Sequence, residues 1–260
     1  MLPCPRKFLL TTLCLLLSFS PGFANTKAQF QPGDHFVYDL YWSFIKVGQA
    51  ELNFTQSTPE TPPVDHLLAT FSVKTSGVAD KLFKVRDRIE SWIDPLTGRP
   101  SVYKKKQREG KTKRDIELGF DWENLEATYT RNGKVYAPMP ITEHTFDPLS
   151  LITRLAQNDF SLNNQFKQAT TDGKEVVYIL ASLKESTKIK VKAGRFEAYR
   201  IEVATNELEG VFEKTPDAAI EIWLSKDAPA IPLKMKSEVA VGSFYGELRG
   251  GTYQGKPIKQ

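Results

Sequence analysis

The stretch Arg86–Lys134, RDRIESWIDPLTGRPSVYKKKQREGKTKRDIELGFDWENLEATYTRNGK, decides the fold class. Four runs with strand character follow one another: Arg86–Ile93, Ser101–Arg108, Lys113–Asp121 and Leu125–Thr130. Each is closed by turn chemistry. Asp94-Pro95-Leu96-Thr97-Gly98 combines an Asx residue, a proline and a glycine. Arg108–Lys111 and Asp121–Asn124 are short polar turns, and Arg131-Asn132-Gly133-Lys134 carries Asn-Gly, the strongest two-residue hairpin signal. Strands this short, joined by turns this tight, predict an antiparallel meander.

The same reading extends outward. Toward the N-terminus, His35–Trp42 and Gln49–Thr55 are aromatic-rich strands flanking a turn over Phe44–Gly48. Leu67–Thr75 alternates, and Thr58–Pro63 (TPETPP) is a loop because prolines cannot donate ladder hydrogen bonds. Val78–Val85 has the spacing of a short helix. Toward the C-terminus, Tyr136–Pro140 leaves as an irregular loop. Asp147 is a good N-cap with Pro148 behind it, and Leu149, Leu151, Ile152 and Leu155 give an apolar stripe to about Asn158. Strands then resume at Val176–Leu183, Thr187–Val191, Arg195–Thr205, Ala218–Leu224, Leu233–Val239 and Ser243–Tyr253. Ala193-Gly194 is a turn, Lys226–Pro232 a loop, and Gly250-Gly251 a bulge or kink. The class expected is mainly β: a bent antiparallel sheet, open barrel or sandwich with one main amphipathic helix packed on it. Residues 25–260 are expected to form a single domain, with two β-rich halves around the helix at 147–158 as the alternative.

Met1–Ala24 reads as an export signal. Arg6 and Lys7 form a basic start, Phe8–Phe19 is an apolar run, and Gly22-Phe23-Ala24 puts small residues where a signal peptidase cuts. The run is too short to cross a bilayer core, which needs about 20 residues. The reading places the chain in the periplasm without a transmembrane anchor. Cleavage would remove Cys4 and Cys14, both cysteines of the chain, and with them disulfides and thiol nucleophiles. It would also remove two of the 35 basic residues, leaving 33 against 31 acidic ones. A chain that close to neutrality lacks the field that nucleic acid requires.

No nucleophile elbow, zinc-helix, phosphate-loop or dinucleotide glycine pattern occurs. His35, His66 and His144 lie in separate segments without ligand spacing, so no metal and no cofactor are expected. Asp87 and Glu90 flank a strand on which Arg86, Arg88 and Glu90 share a face. They read either as half of a carboxylate pair or as a salt-bridged surface. Lys104, Lys105, Lys106, Arg108, Lys111, Lys113 and Arg114 gather around one turn. They suit either an anionic envelope surface or a solvated, protected sheet edge. Trp42, Phe44, Trp92, Tyr103, Trp122, Tyr129, Phe146, Leu151 and Trp223 are the candidate ligand-binding residues, on the alternative that the aromatic strands line a cavity rather than fill a core.

One ordered series of short motifs carries a family likeness. It runs through Pro32-Gly33-Asp34-His35-Phe36-Val37-Tyr38-Asp39-Leu40-Tyr41-Trp42, Val47-Gly48-Gln49-Ala50 and Val85–Asp94. It continues through Asp147-Pro148-Leu149-Ser150, Lys192–Tyr199, Ile222–Asp227 and Pro232-Leu233-Lys234. This order resembles the DUF3108 family of exported bacterial proteins, over most of the chain beyond the leader. The resemblance implies a periplasmic, mostly antiparallel β protein and supplies no catalytic residue. The function expected is a non-enzymatic binding or scaffold protein of the envelope, holding a lipid, glycolipid or other amphipathic ligand. An interaction module that meets an envelope protein, and a carboxylate-dependent hydrolase of envelope polymer, are the alternatives.

Overall fold

The computed structural model describes residues 30–204, 220–227, 229–238 and 242–258. The export signal read at 1–24 lies outside the described residues, as do the strand ends expected at 205, 218–219 and 239. The described elements are β1 His35–Trp42, β2 Ile45–Gln56, β3 Leu67–Thr75, α1 Gly77–Leu82, β4 Arg86–Ile93, β5 Pro100–Glu109, β6 Thr112–Asp121 and β7 Glu126–Arg131. Then come β8 Lys134–Val135, β9 Met139–Pro140, β10 Thr145–Phe146, α2 Pro148–Ala156, β11 Gln165–Thr171, β12 Val176–Val191 and β13 Gly194–Val203. The last are β14 Ile220–Ser225, β15 Pro232–Glu238, β16 Ser243–Tyr253 and β17 Lys256–Ile258.

Two antiparallel meanders, β1 to β7 and β11 to β16, join because β1 bonds to both β2 and β16. The parallel pairing of β10 with β11 extends one margin, and β9 lies against β7 at the other. Geometry then forces curvature. A flat ladder from β10 round to β9, at about 4.8 Å per strand, would be roughly 60–70 Å wide. Yet β9 and β10 are joined by residues 141–144 alone, which extend to less than about 20 Å. The sheet therefore curls until its margins meet at a seam.

Alternation selects the inner face. Phe36 opposes Leu52, Leu52 opposes Phe71, Tyr103 opposes Leu118 and Phe120 opposes Ala127. These residues meet Phe30, Phe54, Ala69 and Leu248 in the larger core cluster. A second cluster of Phe160, Phe166, Ile179, Ile201, Ile220 and Leu224 fills the β11–β14 side. Helix α2 bridges them, with Leu149, Ile152 and Ala156 in the first and Leu151 and Leu155 in the second. Its start is set locally. The Asp147 Oδ1 accepts from the N–H groups of Leu149 (2.8 Å) and Ser150 (2.9 Å), and the Asp147 N–H donates to Ser150 Oγ at 3.0 Å.

The structure revises several local expectations. The first hairpin turns at Ser43-Phe44, with Ser43 at φ 52°, so β2 begins before Gly48. The runs at 176–183 and 187–191 are one strand. A register shift at Leu183/Glu185 absorbs Lys184 and lets β12 bend instead of ending. Part of 136–140, read as a loop, pairs with β7 as β9. β11 was not anticipated, because QFKQATT is polar and its burial on both sides comes from the seam. The short helix expected over Val78–Val85 forms as α1 but ends at Leu82. The expected bulge near Gly250 is found at Arg249, where Val37 pairs with Gly250 but Tyr38 with Leu248.

Candidate functional site

The seam leaves a cleft of about 800 Å³ at the end of the sheet that carries the β4–β5 turn. Several separate pieces of chain build it. The β4–β5 turn is held by Asp94, whose Oδ1 accepts from the N–H groups of Leu96 (2.7 Å) and Thr97 (3.1 Å), and it presents Thr97, Gly98 and Arg99. The 142–144 connection is fastened by Thr142 N–H to Thr145 Oγ1 at 2.9 Å and by Gln168 Nε2 donating to the His144 carbonyl. The last turn of α2 supplies Thr153, Arg154 and Gln157, and β10–β11 supplies Phe146, Lys167, Gln168 and Ala169. The apolar wall is Phe30, Leu67, Ile93 and Phe146, all buried.

The charge of the cleft is mainly positive. Arg99, Arg154 and Lys167 line it, against one acid, Glu143, with the His144 imidazole beside them. The Arg99 guanidinium lies 4.9 Å from the Trp122 ring centroid. Trp122 is itself fixed by its Nε1–H on the Pro100 carbonyl (2.9 Å) and by stacking on Phe120. Lys167 sits 4.6 Å from the Tyr178 ring. Arg99 and Arg154 are half-buried, and among the described residues neither has a carboxylate within ion-pair distance. A guanidinium so placed is a ready partner for a carboxylate or phosphate, which it can grip with two parallel hydrogen bonds.

The aromatic candidates are distributed around the molecule. Phe146 lines the cleft, and Trp122 supports it through Arg99. Tyr103 is buried in the main core, where burial and then the nearby Asp147 push its hydroxyl pKa up. Tyr129 packs at the edge of that core and Leu151 at the edge of the second. Trp92 is on the outer face, donating to the Thr61 carbonyl at 2.9 Å with the Lys104 ammonium over its ring. Trp223 lies under Lys234. Trp42 and Phe44 are exposed at the opposite end of the sheet.

The basic run is divided by alternation. Lys104, Lys106, Arg108 and Lys113 face outward, Lys105 and Arg114 occupy inner-face positions, and Lys111 is in the turn. Lys104 pairs with Glu117 (3.3 Å) and Arg108 with Asp115 (2.7 Å). Alternation also separates the acidic residues. Glu90 is outside, bonded to Arg88 at 2.8 Å. Asp87 is inside, accepting from the Arg108 N–H at 2.6 Å and neighbouring Glu109. Burial, then the hydrogen bond with Asp87, hold the Glu109 carboxyl above its usual range. Neither acid lines the cleft. His66 is tied to Ser101 Oγ at 2.8 Å, and His35 lies 3.7 Å from Glu51. Among the described residues no three His, Cys, Asp or Glu side chains gather as metal ligands, and no helix is long and apolar enough to cross a membrane.

The cleft residues that sequence reasoning missed are Arg99, Arg154, Lys167 and Gln168. Only Arg154 had a local signal, as the cation in the last turn of the helix.

A curled antiparallel sheet around a short helix is the architecture of β-barrel-like proteins. The fold is similar to the crystal structure of a β-barrel-like protein of the DUF1849 domain of unknown function from Brucella abortus. The TM-score is 0.57 at 12% identity, over 84% of this chain and 97% of that one. A protein of YmcC-like fold from Bacteroides fragilis matches at TM-score 0.32 and 10% identity, over 85% of this chain and 98% of that one. No curated protein matches the chain. The chain belongs to the family described as "Protein of unknown function (DUF3108)", whose model matches residues 37–249.

Proposed function

We propose that this protein is a periplasmic binding protein of the cell envelope that holds an anionic amphiphile, without catalysing a reaction. The compartment follows from the leader read at Met1–Ala24. The observation that carries the ligand class is the pairing, in one cleft, of a buried apolar wall with two half-buried arginines that have no carboxylate partner among the described residues. A cleft of about 800 Å³ falls in the range of small-molecule sites. Phe30, Leu67, Ile93 and Phe146 would take an alkyl segment. Arg99, held over Trp122, and Arg154, in the last turn of α2, would take a carboxylate or phosphate head. Leaving a half-buried guanidinium without an anion is costly, and a bound head group relieves that cost.

Native mass spectrometry of protein purified from its own envelope tests the reading. The expected result is a bound anionic lipid or fatty acid. An R99A/R154A variant, still folded by circular dichroism, should bind oleate or phosphatidylglycerol at least about tenfold more weakly, the scale of a lost charge-assisted pair. Protein that purifies empty and shows no saturable binding of either probe refutes it.

A further inference from the structure

A second feature lies at the far end of the sheet from the cleft and is independent of it. Here the chain turns at Ser43-Phe44 between β1 and β2, through α1 between β3 and β4, and at Gly110-Lys111 between β5 and β6. Each turn leaves large apolar side chains in water or meets one that does. Phe44 is 87% exposed, Leu82 82% and Val78 73%, and Ile45 and Phe83 are more than half exposed. Trp42 and Phe244, stacked with centroids 6.3 Å apart, continue the series on the β1–β16 side.

The turns are neighbours. The Ser76 N–H donates to the Val47 carbonyl at 2.9 Å, placing α1 beside the start of β2. The Gly110 N–H donates to the Lys84 carbonyl at 2.8 Å, and a Cβ at Gly110 would touch the Phe83 ring. The apolar tips thus form one arc along the rim, not scattered single residues.

Its exposed charge is mainly positive. Lys81, Lys84, Lys111 and Lys113 are exposed on the same turns and strand ends. Asp80, the acid within α1, is already engaged by Arg86 at 2.7 Å and by the Thr75 hydroxyl at 2.6 Å. These two contacts, the hydrogen bond from Arg86 first, lower its pKa to about 2, so it stays ionised and paired. Asp87 and Glu109, the other acids beside these turns, occupy inner-face positions and share a hydrogen bond, so the exposed charge on the rim is mainly positive. Protruding apolar tips ringed by lysines complement a bilayer with anionic headgroups, whose interface accepts apolar side chains and attracts cations together.

We propose that this rim docks the protein on an anionic lipid surface, with Phe44, Val78 and Leu82 entering the headgroup boundary and Lys81, Lys84, Lys111 and Lys113 meeting phosphates. Docked this way, the cleft at the other end of the sheet points away from the membrane.

Flotation with phosphatidylcholine vesicles, with and without phosphatidylglycerol, tests the proposal on the full mature chain. Binding should require phosphatidylglycerol and fall steeply as salt is raised. F44S/L82S should weaken it by about a hundredfold, or roughly tenfold per apolar tip. K81E/K84E should abolish its dependence on phosphatidylglycerol. Leu162 is 85% exposed at the cleft end, so L162S should bind as wild type does. All five positions are exposed, and unchanged melting temperatures would confirm that the variants fold. Equal flotation with neutral vesicles, flotation unchanged in F44S/L82S, or a dimer that this variant dissolves without any vesicle binding would each overturn it. R99A/R154A should float normally, which separates a failure here from a failure of the cleft reading.

Discussion

Asp147 is where one residue sets both the helix and the cleft, and its replacement gives a sharp test. The side chain is fully buried. Oδ1 accepts from the Leu149 and Ser150 N–H groups at 2.8 and 2.9 Å, and Oδ2 accepts from the Ser91 hydroxyl of β4 at 2.6 Å. D147A removes the cap, which costs about 1 kcal/mol. It also strands the buried Ser91 hydroxyl, at about 1–3 kcal/mol. Relief of the carboxylate's desolvation returns part of that combined cost, so the expected net loss is about 1–3 kcal/mol. D147N keeps an oxygen for the cap and an amide for Ser91, and should lie within about 1 kcal/mol of wild type. The pH dependence separates the two chemistries. Burial raises the Asp147 pKa, against the hydrogen bonds from Ser91, Ser150 and Leu149 that lower it. The folded state therefore holds this proton more tightly than the unfolded chain. The stability that the proton confers is complete below the ordinary carboxylate pKa and is lost as pH rises through the folded pKa. D147N lacks that loss, so its stability relative to wild type should improve with rising pH. Urea unfolding of the three proteins across pH reads all of this. D147A within about 1 kcal/mol of wild type, or D147N as damaging as D147A, would refute the reasoning.

Two further predictions concern the frame. Asp39 is buried on the outer face between Lys46 Nζ (2.5 Å) and Lys192 Nζ (2.6 Å). Burial raises its pKa, but the hydrogen bonds and charges of the two lysines outweigh burial and hold it below the usual range. Its contribution is present above the ordinary carboxylate pKa and is lost as pH falls through the folded pKa. Melting temperatures of D39N and wild type should therefore differ at about pH 7 and converge at about pH 2, and a gap that ignores pH would contradict the assignment. Leu118, fully buried beside Tyr103 and Tyr129, should cost about 2–5 kcal/mol on conversion to alanine. A loss below about 1 kcal/mol in urea titration would mean that this core is loosely filled.

Much of the sheet is legible along the chain because its signals are local. Asn132-Gly133 sits at the β7–β8 turn with both residues at positive φ, and Asp147-Pro148 opens α2 as its capping chemistry requires. β11 was illegible because Gln168, Thr170 and Thr171 are buried only after the seam brings the 142–146 segment and α2 across them. The continuity of β12 was hidden for a related reason. Lys184-Glu185-Ser186 looks like a turn, but Arg200 and Glu202 on β13 engage Glu185 and Lys184 and keep the strand paired. The cleft was the least legible feature. Its residues come from a turn, a linker, a helix end and a polar strand, and none of these carries a motif.

Most of the strands, most hairpin reversals and the start of the main helix are legible in the sequence alone. Those choices depend on alternation, turn residues and capping groups within a few positions of one another. Only the tertiary structure shows that the sheet curls, that its margins are joined through 141–144, and that Arg99 and Arg154 share a cleft with Phe146. The joining of the two meanders rests on contacts between distant residues, such as His35 with Thr252 in the β1–β16 ladder and Lys192 with Asp39. Such contacts express the accumulated twist and packing of the whole sheet, which no short window of sequence contains.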